Sequence, residues 1–271
     1  MNLQPVIHAR REQSVEFARR FASRVEVAGA KLVGGPEVAE LLPEAHVGDG
    51  PPDVVVAIGG DGTMLAAAHW ALEYDVPVVG FNLGTVGFLA EAEPSDLDLA
   101  VEALVSGSFR VDERMTIEAD LPSGIRVTGI NDVVAEKIDS QRLVSLKVTI
   151  DDQEFLTYRA DGLIVSTPTG STAYSFSAGG PLLDPGLQAL LVTPVAAHSL
   201  FARTMALLPT SVVGVEVAAD RPVRVSIDGI EGASLHQGER FEVRRGLRPA
   251  RFVRLKEQPF PRLVTEKFRL K

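Results

Sequence analysis

The 271-residue sequence contains no cysteine. That excludes disulfides, thiolate-held metals, iron–sulfur clusters and a cysteine nucleophile. Long apolar runs are missing too. The densest stretch, Leu187 to Ala197, is too short to cross a bilayer and is interrupted by Pro194. Met1 to Arg11 holds no apolar core of the kind that directs export, so the expected compartment is the cytoplasm. Positive charge is not in excess: the formal net charge is -9, and no basic run reaches five residues, which argues against nucleic acid or an anionic membrane as partner. Arginine supplies 21 of the 27 basic side chains, so a local anion pocket is not excluded. Several signatures are also missing: Gly-x-x-x-x-Gly-Lys-Ser/Thr, Gly-x-Gly-x-x-Gly, Gly-x-Ser-x-Gly and His-Glu-x-x-His. A Walker NTPase and a standard Rossmann dehydrogenase both lose support. The histidines at 8, 46, 69, 198 and 236 have no metal-ligand spacing. No repeat or low-complexity segment stands out.

What is present is a globular composition, 45% hydrophobic and 23% charged, in a chain long enough for two domains. Val6 to His8 reads as a first strand and Glu12 to Val25 as an amphipathic helix. Val54 to Ile58 and Pro77 to Phe81 read as buried strands, and Thr63 to Tyr74 and Leu97 to Val105 as helices, with Trp70 expected in the core and His69 structural. This alternation predicts an α/β domain with a doubly wound, mostly parallel sheet over residues 1–108. From Phe109 onward the runs become short and turn-separated: Phe109–Leu121, Ile125–Thr128, Val133–Ala135, Leu143–Ile150, Glu154–Arg159, Leu163–Thr167, Val212–Val217, Val223–Ile227, Arg240–Arg245 and Arg251–Leu255. They predict an all-β, sandwich-like domain over residues 109–250.

Two Gly- and hydroxyl-rich stretches carry the chemistry. Gly59-Gly60-Asp61-Gly62-Thr63 joins a buried strand to a helix. A tight turn needs some of that glycine, but three glycines around one acid exceed the need. Backbone without Cβ can approach a phosphate closely, and a helix start favours anions. A carboxylate would repel phosphate, so Asp61 is better employed handling a proton or a metal. The second stretch runs from Asp161-Gly162 through Thr167-Pro168-Thr169-Gly170-Ser171-Thr172-Ala173-Tyr174-Ser175 to Ser177. Helix capping alone would account for some of its hydroxyls.

The first stretch resembles the Gly-Gly-Asp-Gly signature shared by NAD kinases, diacylglycerol and sphingosine kinases, and phosphofructokinases. The second, with Asn131-Asp132 and the segment Asn82 to Phe88, resembles the NAD kinase family in particular. The matches run in order from residue 54 to 185. The resemblance implies an enzyme that moves a phosphoryl group from ATP, or inorganic polyphosphate, to the 2′-hydroxyl of the adenosine ribose of NAD. It implies a divalent cation, with Mg²⁺ carried on the donor, and a homodimer or homotetramer. By position, Asp61 would be the catalytic base and Gly59, Gly60, Gly62 and Thr63 would hold phosphate. Phe88 would line the pocket, Asn131 would bind adenine and Asp132 a ribose hydroxyl. Arg142, Arg159, Asp161, Thr172, Ala173, Tyr174, Ser175, Phe176 and Ser177 would complete the substrate site. Residues 251–271 would return to the first domain. Three positions depart from the family pattern: Asp132 replaces the commoner Glu, Arg142 stands where some members have His, and Ile230 follows Asp228-Gly229 where some have Gln. A lipid kinase of the same superfamily and a non-catalytic dinucleotide sensor are the rival readings.

Overall fold

The computed structural model describes residues 1–84, 87–90, 92–139 and 141–270. Thr85 and Val86 of the Asn82–Phe88 segment lie outside the described residues. Chain contacts divide the protein into two units, Met1–Glu113 with Ala250–Lys271, and Arg114–Pro249.

The first unit opens with β1 (Asn2–Ile7), α1 (Glu12–Val27), β2 (Lys31–Val33), α2 (Pro36–Leu41) and β3 (Val47–Gly48). It continues through β4 (Val54–Gly59), α3 (Asp61–Tyr74), β5 (Val78–Asn82), α4 (Leu97–Ser106) and β6 (Arg110–Arg114). Its sheet has seven strands, in the order β3-β2-β1-β4-β5-β19-β6, where β19 is Ala250–Arg254. Strands β1 to β5 pair in parallel. The central strand β4 is buried along its whole length, as expected of a strand covered on both faces. Helix α1 buries Phe17, Ala18, Phe21, Ala22 and Val25 at helical spacing, and the rings of Phe17 and Phe21 lie 4.9 and 5.8 Å from that of Phe81 on β5. Trp70 does not join the core. It is 42% exposed and stacks on Tyr74, because α3 buries Met64, Ala67, Ala68 and Ala71 instead.

The second unit contains β7 (Ile117–Asp120), β8 (Arg126–Gly129), β9 (Asp132–Lys137), β10 (Val144–Ile150), β11 (Gln153–Ala160) and β12 (Gly162–Ser166). A 3₁₀ turn at Thr169–Thr172 and the short α5 (Tyr174–Ser177) follow. Then come β13 (Leu190–Val195), β14 (Met205–Leu207), β15 (Val213–Val217), β16 (Val223–Ile227), β17 (Ile230–Leu235) and β18 (Arg240–Arg245). They form two six-stranded sheets, β11-β10-β15-β18-β7-β8 and β14-β13-β12-β9-β16-β17, with one core of inward side chains from both, including Leu146, Val148, Tyr158, Val165 and Phe241. This is the antiparallel sandwich the short-strand texture predicts.

Two readings of the runs need correction. Phe109–Leu121 is not one strand: β6 and β7 lie in different sheets. The run at Arg251–Leu255 is not part of the sandwich, because β19 pairs in parallel with β5, Phe252 against Val78. The chain ends in α6 (Phe260–Phe268). Among the described residues no helix is long and apolar enough to cross a membrane.

Candidate active site

Strand β4 ends in the glycine loop, and α3 begins sooner than its sequence suggested. Gly60 is the N-cap and Asp61 and Gly62 occupy the first turn. Asp61 therefore does not cap its own helix. Its Oδ2 accepts the Phe88 N–H at 3.0 Å and its Oδ1 the Leu89 N–H at 3.2 Å. These bonds fix the carboxylate in one orientation and leave it lone pairs for a further donor. Two glycines make the arrangement possible. A Cβ on Gly87 would lie 2.1 Å from Asp61 Oδ1, and one on Gly59 would lie 2.3 Å from Thr63 Oγ1. On Gly60 and Gly62 a Cβ would meet nothing within 4 Å, so these two face open space. The loop borders a cleft of about 600 Å³ lined by His8, Arg11, Asp61, Thr63, Asn82 and Lys267, among others. Phe88 stands beside it, its ring 6.0 Å from that of Phe268 and under the Lys267 ammonium at 5.6 Å.

The second unit holds the other cluster. Strands β9 and β12 are antiparallel neighbours, with Asp132 opposite Ser166. The chain leaves β12 into the Thr167–Thr172 turn, where Thr167 Oγ1 donates to Ile130 O at 2.6 Å and accepts the Gly170 N–H at 3.1 Å. Gly170 presses so closely on Asn131 that a Cβ there would lie 2.0 Å from its carbonyl oxygen. Asn131 Oδ1 is buried without a protein partner. Asp132 is 5% exposed, and burial first, then the neighbouring Asp228 charge, pushes its carboxyl up to about 7. Asp161 is paired with Lys137 at 2.5 Å. Burial, and then the charges of Glu136, Asp161 and Asp132, raise the Tyr174 hydroxyl above its ordinary value.

Other expected residues divide by position. Ser175 is fully buried and its hydroxyl bonds Thr193 Oγ1 at 2.9 Å, a packing role. Thr172 donates to Thr169 O. Phe176 is 37% exposed, and Ala173 and Ser177 flank it at the ends of α5. Arg142 and Arg159 are exposed. Among the described residues no hydrogen bond or ion pair joins either side chain to the Asn131–Asp161 cluster, and Arg159 lies on β11 in the other sheet.

Sequence reasoning missed Asp228. Its carboxylate accepts the N–H groups of Ile130, Asn131 and Asp132 at 2.7, 2.7 and 3.0 Å. It sits with Gly229 in a two-residue turn between β16 and β17, at φ 50° and 78°. The Asp-Gly pair between two apolar runs was the available signal. Lys137, Arg11 and Lys267 were also missed; none of them stands in a recognisable motif.

A family profile described as the ATP-NAD kinase N-terminal domain matches residues 46–109, and one for the ATP-NAD kinase C-terminal domain matches residues 130–255. The chain belongs to the NAD kinase family. It is 41% identical over 275 residues to an NAD kinase of Heliobacterium modesticaldum, covering 97% of this chain and 96% of that one. It is 37% identical over 291 residues to the NAD kinase of Mycobacterium tuberculosis, covering 98% and 94%. Among solved structures it resembles yeast NADH kinase complexed with NADH, with a TM-score of 0.91 and 26% identity over 100% of this chain and 88% of that one. An NAD kinase from Archaeoglobus fulgidus in complex with ATP shares the fold, with a TM-score of 0.75 and 21% identity over 100% and 97%. Gly59–Thr63 falls within the N-terminal domain match, and Asn131, Asp161 and the Thr167–Ser175 run within the C-terminal one.

Proposed function

We propose that this chain transfers a phosphoryl group from ATP or inorganic polyphosphate to the 2′-hydroxyl of the adenosine ribose of NAD, forming NADP. The observation that carries the reading is the Asp61 carboxylate, oriented by the Phe88 and Leu89 amides at the first turn of α3 and facing a cleft. Phosphoryl transfer asks the protein for in-line positioning, charge neutralisation and a base for the hydroxyl proton. Asp61 takes that proton as the hydroxyl oxygen attacks phosphorus. Gly60, Gly62 and the start of α3 offer N–H groups to the donor phosphates.

Residues 1–108 supply the phosphate loop and base, residues 109–250 the dinucleotide site, and 251–271 return to the first domain. Asn131 Oδ1 suits the adenine amino group, which would satisfy an otherwise unpaired buried acceptor. Asp132 accepts from a ribose hydroxyl, and Asp161 and Tyr174 border the same ligand. Among the described residues no group of three or more His, Asp or Glu side chains could cage a metal. A divalent cation, Mg²⁺ by expectation, arrives on the donor phosphates, with Asp61 as the carboxylate lining the cleft. When bound it neutralises phosphate charge. The protein acts in the cytoplasm as a homodimer or homotetramer.

The test crosses NAD and NADH with ATP and polyphosphate, using wild-type protein and Asp61→Asn. Wild type forms NADP. The variant keeps its fold and its NAD affinity and loses kcat by ~10²–10⁴-fold, the usual worth of a general base. Conversion of diacylglycerol instead of NAD would establish the lipid kinase. NAD binding without turnover would establish the sensor.

A further inference from the structure

The cleft beside Asp61 has a charge balance opposite in sign to that of the whole chain. In a protein of formal net charge -9, its lining holds two cations, Arg11 and Lys267, against one carboxylate, Asp61. Both Asp61 oxygens already accept backbone N–H groups. The two cations come from opposite ends of the sequence. Arg11 is the N-cap residue of α1 and makes no side-chain cap bond. A positive charge there opposes the helix dipole, and Glu12 in the same first turn offsets it only in part. Its Nη1 is 3.7 Å from where a Cβ on Gly84 would stand, at the cleft's rim. Lys267 is in the last turn of α6, the helix end that favours a cation. It lies over Phe88, whose N–H donates to Asp61. The start of α3 adds a positive helix end to the same cleft.

Two cations and a positive helix end converging on a glycine loop with two open glycines form a site for a chain of phosphates. We infer that Arg11 and Lys267 grip the polyphosphate chain of the phosphoryl donor from its two sides, and that α6 is a wall of the donor site. Resting on the kinase reading above, the inference names the side chains that neutralise the donor, a requirement the glycine loop meets only with backbone N–H groups. Guanidinium and ammonium suit this division: the planar fork binds two phosphate oxygens, and the compact charge follows a mobile one. The shared chemistry is that of linked phosphates, whether they end in adenosine or in more phosphate.

The test uses the full-length protein and the variants Arg11→Ala, Lys267→Ala and Lys267→Arg, each checked for folding by thermal melting. Tripolyphosphate binding is measured by calorimetry, and KM is measured separately for ATP, polyphosphate and NAD. Each alanine variant is expected to weaken tripolyphosphate binding and raise KM for both donors by about 10–100-fold, the usual worth of a charge-assisted hydrogen bond, with KM for NAD unchanged. Lys267→Arg restores most of the loss. Unchanged tripolyphosphate affinity in both alanine variants overturns the inference, as does a KM effect confined to ATP, which would place the contacts on adenosine. Wild-type protein that binds tripolyphosphate through these residues but makes no NADP would sink the acceptor assignment and leave the phosphate grip standing.

Discussion

Asp132 concentrates the electrostatic cost of the dinucleotide site in one side chain. Unfolded, an aspartate titrates near 3.8, whereas burial and Asp228 bring the folded carboxyl to about 7. Between those values the folded protein retains a proton that the unfolded chain has released. Stability therefore falls as pH rises through this window, and the full penalty persists above about 7. Asp132→Asn removes the buried charge and keeps the shape. It should melt higher than wild type at pH 8, by about 1–3 kcal/mol in unfolding free energy, and nearly level with it at pH 4. A variant no more stable than wild type at pH 8 would show that Asp132 is not penalised there. The type of residue at this site was legible in the sequence, because Asn131-Asp132 stands where the family has its second signature. Its strained charge was not, since the causes are burial in the folded sheet first and then Asp228, 96 positions away.

At the scale of elements, what was legible followed from periodicity. The spacing of Phe17, Phe21 and Val25 announced α1, and the unbroken Val54–Ile58 run announced β4, because each pattern reports a continuous buried face. Strands β2, β3 and β14 are too short to establish a period. Strand β13 was read only as an apolar stretch because it contains Pro194, which lies beyond the Leu190–Val192 segment that β14 covers. The hydroxyl-rich turn after β12 gave away its chemistry but not its packing. Gly170 serves a close approach to the Asn131 carbonyl, which no spacing in the sequence announced. Gly170→Ala must push backbone against backbone, and such overpacking costs about 1–3 kcal/mol. The variant should melt several degrees lower and raise KM for NAD as Asn131 is displaced, with KM for ATP near its wild-type value. Wild-type melting together with wild-type KM for NAD would mean that the turn yields freely.

Across the whole molecule, the first unit is discontinuous: its sheet is completed only when the last twenty or so residues return. The expectation that residues 251–271 return to the first domain came from the family resemblance; by texture alone Arg251–Leu255 reads as one more short strand, because a five-residue apolar alternation carries no address. The sheet that receives it is set by tertiary pairing. Strand β19 enters between β5 and β6 and buries Phe252 and Val253, so it is an interior strand of the unit that holds Asp61. Helix α6 is different: Leu263 is its buried residue, and beyond it the helix contributes Lys267 and Phe268 beside Phe88. Two truncations separate these parts. A chain ending at Gln258 keeps β19 and should fold cooperatively at a lower melting temperature, but with tripolyphosphate affinity reduced at least as far as in Lys267→Ala. A chain ending at Pro249 loses the strand that joins β6 to the rest of the sheet. It should show no cooperative melt for the first unit, since an exposed β5 edge, a detached β6 and the lost burial of Phe252 and Val253 remove a large part of the ~5–15 kcal/mol by which domains are stable. Calorimetry of both chains decides the matter. If the Pro249 chain melts like the full-length protein, the returning strand is an accessory to the sheet rather than part of its framework.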